Sequence, residues 1–515
     1  MTSALSVLLR RIVPLTLAVF CLLMVPHPAR AQEIFRQDKV VGTDLRRGKD
    51  LRADVLTFPA KAGNTYYDRT NELLLVMSAF DERERYTAWT KGELWVYDLA
   101  TSELLRRQKV RYADNAVYHA DGIFVENPGT RAIGYDPRTG KKRWKVKADI
   151  YFTDAQNKMA VGYETLANRY DSDVLIGTDM ETGAVVWERT ISKFSGWNDL
   201  YQLNDSVYFI LASGLHTLNV RDGSGWSWYT QTAEYRRGAK GMGLGAGLGM
   251  FKGSMVSNLE YDSTHVYFAS KEKIAKIDVE TGRPAWVSEY PDAQVGSSVI
   301  FLSEGTLFMV NRGMASSRFG LVHHGAPFLA AYSRDTGHPR FLVSTADSTA
   351  PVLSYEALDE DILLLNRETV ECYNAATGAR RFTEDYAEND IGSPIRFLNR
   401  NDTYTKTPDG RYLPLAEVTP GTAFALFDYG TIPAINSDLT VGYTMGLDQI
   451  WLKFAERDGL NFLSDGERTM VADAATGELR AELLAPEDGE FFGDALVYTV
   501  ENQIYILDLS DLFRP

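Results

Sequence analysis

The chain has 515 residues, of which 45% are hydrophobic and 12% aromatic, so it can supply a large core and lies far from the disordered class. It carries 69 Asp and Glu against 54 Lys and Arg, a formal net charge of −15. Such a surface repels phosphate backbones and anionic bilayers, so no nucleic acid partner and no membrane-surface role are expected.

The first 31 residues read as an export address. Arg10 and Arg11 form a positive region, Ile12 to Val25 an apolar run, and Ala29-Arg30-Ala31 a small-x-small cleavage site. The run is interrupted by Pro14 and falls short of the roughly 20 residues that span a bilayer, so no transmembrane segment is expected in the mature chain. Phe20 stands before Cys21 where a lipidation signal needs a small residue. A mature chain beginning at Gln32 is expected in the periplasm or outside the cell. Cleavage leaves Cys372 as its one cysteine, so no intrachain disulfide can form and stability must come from burial.

Beyond the leader, one template recurs along the chain. It opens in degenerate form at Leu94 to Ser102 (LWVYDLATS), then appears in full at Ala132 to Trp144 (AIGYDPRTGKKRW) and Leu175 to Trp187 (LIGTDMETGAVVW). A weaker copy follows at Leu215 to Trp228, a full one at Ile274 to Trp286 (IAKIDVETGRPAW), and copies with Phe as the aromatic at Leu329 to Phe341 and Val370 to Phe382. Met470 to Gly477 keeps Asp and Thr-Gly, and Ile504 to Leu512 keeps the strand and Asp. An Asp ending a strand accepts hydrogen bonds from the backbone two or three residues on, and Gly supplies the positive φ of a tight reversal. The aromatic then lies at a fixed place on the returning strand, as Trp144, Trp187, Trp286, Phe341 and Phe382, where a large ring buries against the next unit. Upstream hairpins such as Asp121-Gly122 and Glu304-Gly305 supply further strands, and no long segment has helical periodicity. The repeat ends fall at 98, 136, 179, 219, 278, 333, 374, 473 and 508. Their usual spacing of about 40 residues suits one four-stranded sheet per repeat. The long interval from 374 to 473 holds a degenerate blade or an insertion around Lys406 to Ser437.

This Asp-x-x-Thr-Gly-x-x-x-Trp repeat resembles that of the PQQ-like β-propellers, a class related in architecture to WD40/YVTN-like repeats. The resemblance implies an all-β fold of eight four-stranded blades, with seven to nine compatible with the repeat ends. It also implies ring closure by an N-terminal strand, expected within Glu33 to Phe58. Residues 32–515 are expected to form one domain, with inserted loops near 229–255, 311–327 and 400–440. Function divides two ways. A non-enzymatic, monomeric scaffold that binds an unidentified protein partner, with a place in envelope assembly, is the first reading. The alternative is a quinoprotein dehydrogenase holding PQQ and calcium. Such enzymes carry adjacent cysteines over the cofactor, which this chain lacks, so no cofactor is expected under the first reading. A sugar-binding role for the aromatics is a third.

Other candidates for chemistry have plainer readings. Asp171 and Asp173 read as turn residues entering a strand. The stretch Gly238 to Gly253 alternates Gly with apolar residues, fits neither GxGxxG nor a P-loop, and reads as an inserted loop or an apolar flap. His323-His324 cannot hold a metal without further ligands, and Cys372, in an apolar strand, reads as a buried, inert thiol. No catalytic residue and no metal ligand is expected, and the sequence leaves any cofactor-binding residues unknown.

Overall fold

A computed structural model describes residues 35–514, apart from 59–61, 80–90, 112–115, 121, 128–130, 166–172, 193–198, 213, 230–255, 291–294, 318–319, 387–391 and 487–488. The export address, Asp171 and the Gly-rich stretch 238–253 therefore lie outside the described residues.

The repeated turn sets the architecture. At Asp179 the backbone N–H donates to Ala184 O (2.9 Å), Gly183 N–H donates to Asp179 O (2.8 Å), and Asp179 Oδ1 accepts from both the N–H and the hydroxyl of Thr182 (2.7 Å each). Gly183 takes φ +73°, which costs a glycine little. The same pair of backbone bonds recurs at 136, 219, 278, 333, 374 and 473. Each turn joins the third and fourth strands of a four-stranded antiparallel unit. Ten such units follow one another, at residues 62–111, 116–146, 148–190, 199–229, 260–289, 298–344, 354–385, 394–446, 451–483 and 490–508, the last completed by the strand Lys49–Thr57.

Consecutive units pack face to face, since each shares a hydrophobic core with the next. Leu73 and Val96 of the first meet Phe124 of the second, Val161 of the third meets Ile210 of the fourth, and Leu363 of the seventh meets Ile435 of the eighth. The tenth unit returns to the first, with Val497 and Ile504 packed among Leu74, Val76 and Trp95. Burying one such side chain contributes roughly 1.5–3 kcal/mol. The chain is therefore an all-β propeller. Closure uses the start of the chain. Lys49–Thr57 pairs with Gln503–Asp508, while its hairpin partner Phe35–Asp44 reaches Ala481 to Leu483 of the ninth unit through Gly42, Thr43 and Asp44.

Ten units among the described residues differ from the expected eight, or seven to nine. The tenth repeat end is Asn436, hidden in the interval 374–473. There Asn436 N–H donates to Thr440 O and Leu439 N–H to Asn436 O, a turn one residue shorter that needs no Thr-Gly. The same interval also holds an insertion, the hairpin Thr403–Lys406 with Tyr412–Pro414, followed by the short helix Leu415–Val418. This insertion is shorter than the one expected around Lys406 to Ser437, because Thr422–Phe427 and Thr431–Asn436 are the second and third strands of the eighth unit. In the sixth unit Met314–Ser317 and Gly320–His323 pair as a separate hairpin between the second and third strands. No described helix is long and apolar enough to cross a membrane.

Candidate partner-binding surface

The fourth, outer strand of each unit carries the residue that couples it to its neighbour. Its register skips one residue just before that position, as between Lys142 and Trp144, Pro284 and Trp286, and Pro339 and Phe341. Trp144 then lies over Gly183 of the next unit, where an added Cβ would sit 2.5 Å from the ring, and its Nε1–H donates to Met180 O (2.7 Å). Trp187 repeats this on Gly223 and Val220 O (2.7 Å), and Trp286 on Gly337 and Arg334 O (3.0 Å). These three rings are 6%, 7% and 9% exposed. They are packing residues, as the repeat predicts.

Two members of the series were not singled out in the sequence. Trp226 covers Gly282 and donates to Val279 O (2.7 Å), although it lies seven rather than eight residues beyond its turn residue Asn219. In the first unit Arg106 takes the place of the ring. Its guanidinium lies over Gly140 and 4.8 Å from the Tyr135 ring centroid, and burial pushes its pKa down. Beside it Arg138 bridges to Asp98 (2.5 Å), whose carboxyl is held below the usual range by the Thr101 N–H and by Arg138 itself.

The series breaks on both sides of the eighth unit. Phe382 occupies the coupling position of the seventh, opposite Cys372, yet is 46% exposed, because the shorter turn at Asn436 offers no glycine to cover. Tyr443 occupies that position in the eighth, opposite Ala434, and is 43% exposed. Its target is already taken: the inserted hairpin covers Gly477, with Tyr412 N–H donating to Gly477 O (2.7 Å) and the Tyr412 ring standing edge-on to Trp451 at 5.6 Å. Two large rings spent on packing elsewhere are here offered to solvent. Large apolar side chains exposed at positions that are packed elsewhere mark these two seams as candidate interaction surfaces.

Two described grooves lie near the ring closure. One of about 500 Å³ lies between the N-terminal hairpin and the ninth unit, lined by Asp44, Arg46, Asp458, Asp473, Arg480 and Arg514. Its charges serve the fold: Asp44 accepts the N–H groups of Arg46 and Arg47, and Arg480 pairs with Asp473 at 3.1 Å. A second, of about 370 Å³, follows the seam of the tenth and first units, beside the Thr65–Thr499 hydroxyl contact (3.4 Å) and Glu490.

Asp173 enters its strand as expected, its carbonyl accepting Ile191 N–H. His323 is exposed, and the His324 imidazole is pushed down by burial and by nearby Lys271 and His323. Cys372 is fully buried between the seventh and eighth units, and burial drives its thiol up to about 12. Among the described residues no three His, Cys, Asp or Glu side chains converge, and the remaining cysteine lies in the core.

A family model, PQQ_2, described as outer membrane protein assembly factor BamB, matches residues 75–241. The outer membrane protein assembly factor BamB of Shewanella oneidensis is 26% identical over 154 residues, 27% of this chain and 36% of that protein. The chain thus spans about a third of that relative's length. Among solved structures, BamB from Moraxella catarrhalis is 15% identical with a TM-score of 0.32, covering 72% of this chain and 96% of that one. The C-terminal WD40 domain of Sif2 is 9% identical with a TM-score of 0.31, covering 77% and 95%.

Proposed function

We propose that this PQQ-like repeat propeller is an exported, non-enzymatic scaffold that binds other proteins during assembly of the outer membrane. The observation that carries this reading is the match of residues 75–241 to the assembly-factor family. It is supported by the use of the repeat residues: Asp, Thr and Gly make turns, and the aromatics couple neighbouring units, leaving the surface rather than a buried site to act. An envelope location is supported by that likeness and by the export address read in residues 1–31.

Deleting the gene in cells that encode this chain should lower the amounts of assembled outer-membrane β-barrel proteins, measured by heat-modifiable mobility on gels. Unchanged amounts of every such protein would overturn the reading. The catalytic alternative has its own measurement. Titrating PQQ with Ca²⁺ into the exported chain should give neither stoichiometric binding nor dye reduction with alcohols or sugars; binding with turnover would install the dehydrogenase reading instead.

A further inference from the structure

We propose that the free edge of the strand Val441–Gly446 takes up an extended, uncharged segment of a partner protein, which joins the eighth unit as a fifth antiparallel strand. This rests on the reading of the chain as a protein-binding propeller and names the place and the partner's chemistry. The strand ends its sheet. An unprotected edge of this kind is a template for pairing, and proteins blunt it with charge or proline. The other described outer strands of five or more residues do so: Lys142–Val146 carries Lys and Arg, Val185–Thr190 carries Glu and Arg, Pro339–Ser344 begins with Pro and Arg, and Arg380–Asp385 carries four charges. Val441–Gly446 (VGYTMG) has neither.

The register skip sharpens the contrast. The residue skipped is Arg143, Arg340, Arg381 or Arg480 in four other units, and here it is Gly442. A Cβ at Gly442 would meet nothing nearer than 3.7 Å, so another backbone can approach there. Both faces of the edge are apolar as well. Val441 opposes Ile435, of the core shared with the seventh unit, on the side where Phe382 stands exposed. Tyr443 opposes Ala434, of the core shared with the insertion and the start of the ninth unit. An added strand would lay alternate side chains toward each side, so a segment with apolar groups on both faces fits. The molecule already contains the event in miniature: Phe35–Asp44 adds to the outer edge of the ninth unit, pairing Gly42, Thr43 and Asp44 with Leu483, Glu482 and Ala481. A second copy of this chain is the less favoured occupant, because two chains of net charge −15 repel.

The probe is a fluorescein-labelled, end-blocked peptide Ser-Thr-Val-Thr-Tyr-Thr-Val-Ser, read by anisotropy against the full exported chain. Saturable binding is expected, with slowed amide exchange confined to residues 441–446. Thr444→Lys, which puts a charge on the edge, should weaken binding at least tenfold. Thr383→Lys, on the already charged strand of the seventh unit, should change it less than twofold, and thermal midpoints establish that both variants fold. No saturable binding, equal binding by Thr444→Lys, or protection elsewhere would overturn the proposal. So would a sedimentation dimer abolished by Thr444→Lys, which would give the edge to a second copy. Peptide failure alongside the deletion phenotype refutes this edge and leaves the scaffold reading; peptide binding without the phenotype does the reverse.

Discussion

Asp262 is buried enough to be pushed toward the neutral form, yet hydrogen bonds from the Thr264 hydroxyl and N–H, from His265 N–H and from Arg334 outweigh that cost and hold its carboxyl well below the usual range. Among the repeat turns, Asp278 is lowered by the Thr281 hydroxyl and N–H, and Asp473 by Thr476 N–H and Arg480. A carboxyl depressed in the folded state contributes stability above its unfolded pKa, near 3.9, and loses it as pH falls through the folded value. Glu260 and Glu356, raised by burial, act in the opposite sense and withdraw stability as pH rises above about 4.3. Urea unfolding at pH 6, 4 and 3 should therefore show stability dropping below about pH 4; a flat or rising profile there would contradict the turn account. Cys372 is the second residue-scale case. A thiol displaced to about 12 is almost wholly protonated at pH 8, so it should ignore a thiol-reactive dye until the chain unfolds. Fast native labelling would show that the core between the seventh and eighth units opens. The inert character of this cysteine was legible from its apolar strand, whereas the network around Asp262 was not, because Arg334 approaches from 72 residues away.

At the scale of the outer strand, one sequence signal conceals two fates. Trp144, Trp187, Trp286, Phe341 and Phe382 occupy the same place in the template, but their environment is set by the turn of the following unit, which the strand's own sequence does not contain. Trp144→Ala, Trp187→Ala and Trp286→Ala should each cost about 3–5 kcal/mol in chemical unfolding, since each removes a buried ring over a glycine. Phe382→Ala and Tyr443→Ala should stay within about 0.5 kcal/mol, as exposed positions do. Comparable losses at all five would mean that the seam around the eighth unit is covered after all. Arg106 was illegible for a different reason: it keeps the spacing of eight from Asp98 while replacing the ring by a guanidinium, and a search for aromatics passes over it. Trp226 keeps the ring and shifts the spacing by one.

For the whole molecule, the repeated turn made the propeller legible, and the strand expected within Glu33 to Phe58 is Lys49–Thr57. The eighth unit was hidden because Leu439, at φ +64°, does the work of the missing glycine while burying its side chain in the adjoining core. Removing residues 33–58 should expose the edge of Gln503–Asp508 and uncover Val497 and Ile504. The truncated chain should melt well below the intact one and aggregate, and a peptide of those residues should restore its midpoint in trans. An unchanged midpoint without the peptide would show that closure adds nothing. The closing hairpin also imposes an order in time. Made at 5–20 residues per second, the chain delivers Gln503–Asp508 on the order of half a minute or more after Lys49–Thr57. Nine units can assemble neighbour by neighbour as they emerge, but the earliest strands wait for the latest. Lys49, Asp50, Arg52 and Asp54 along the waiting strand are the charges that keep such an edge from finding the wrong companion in the interval.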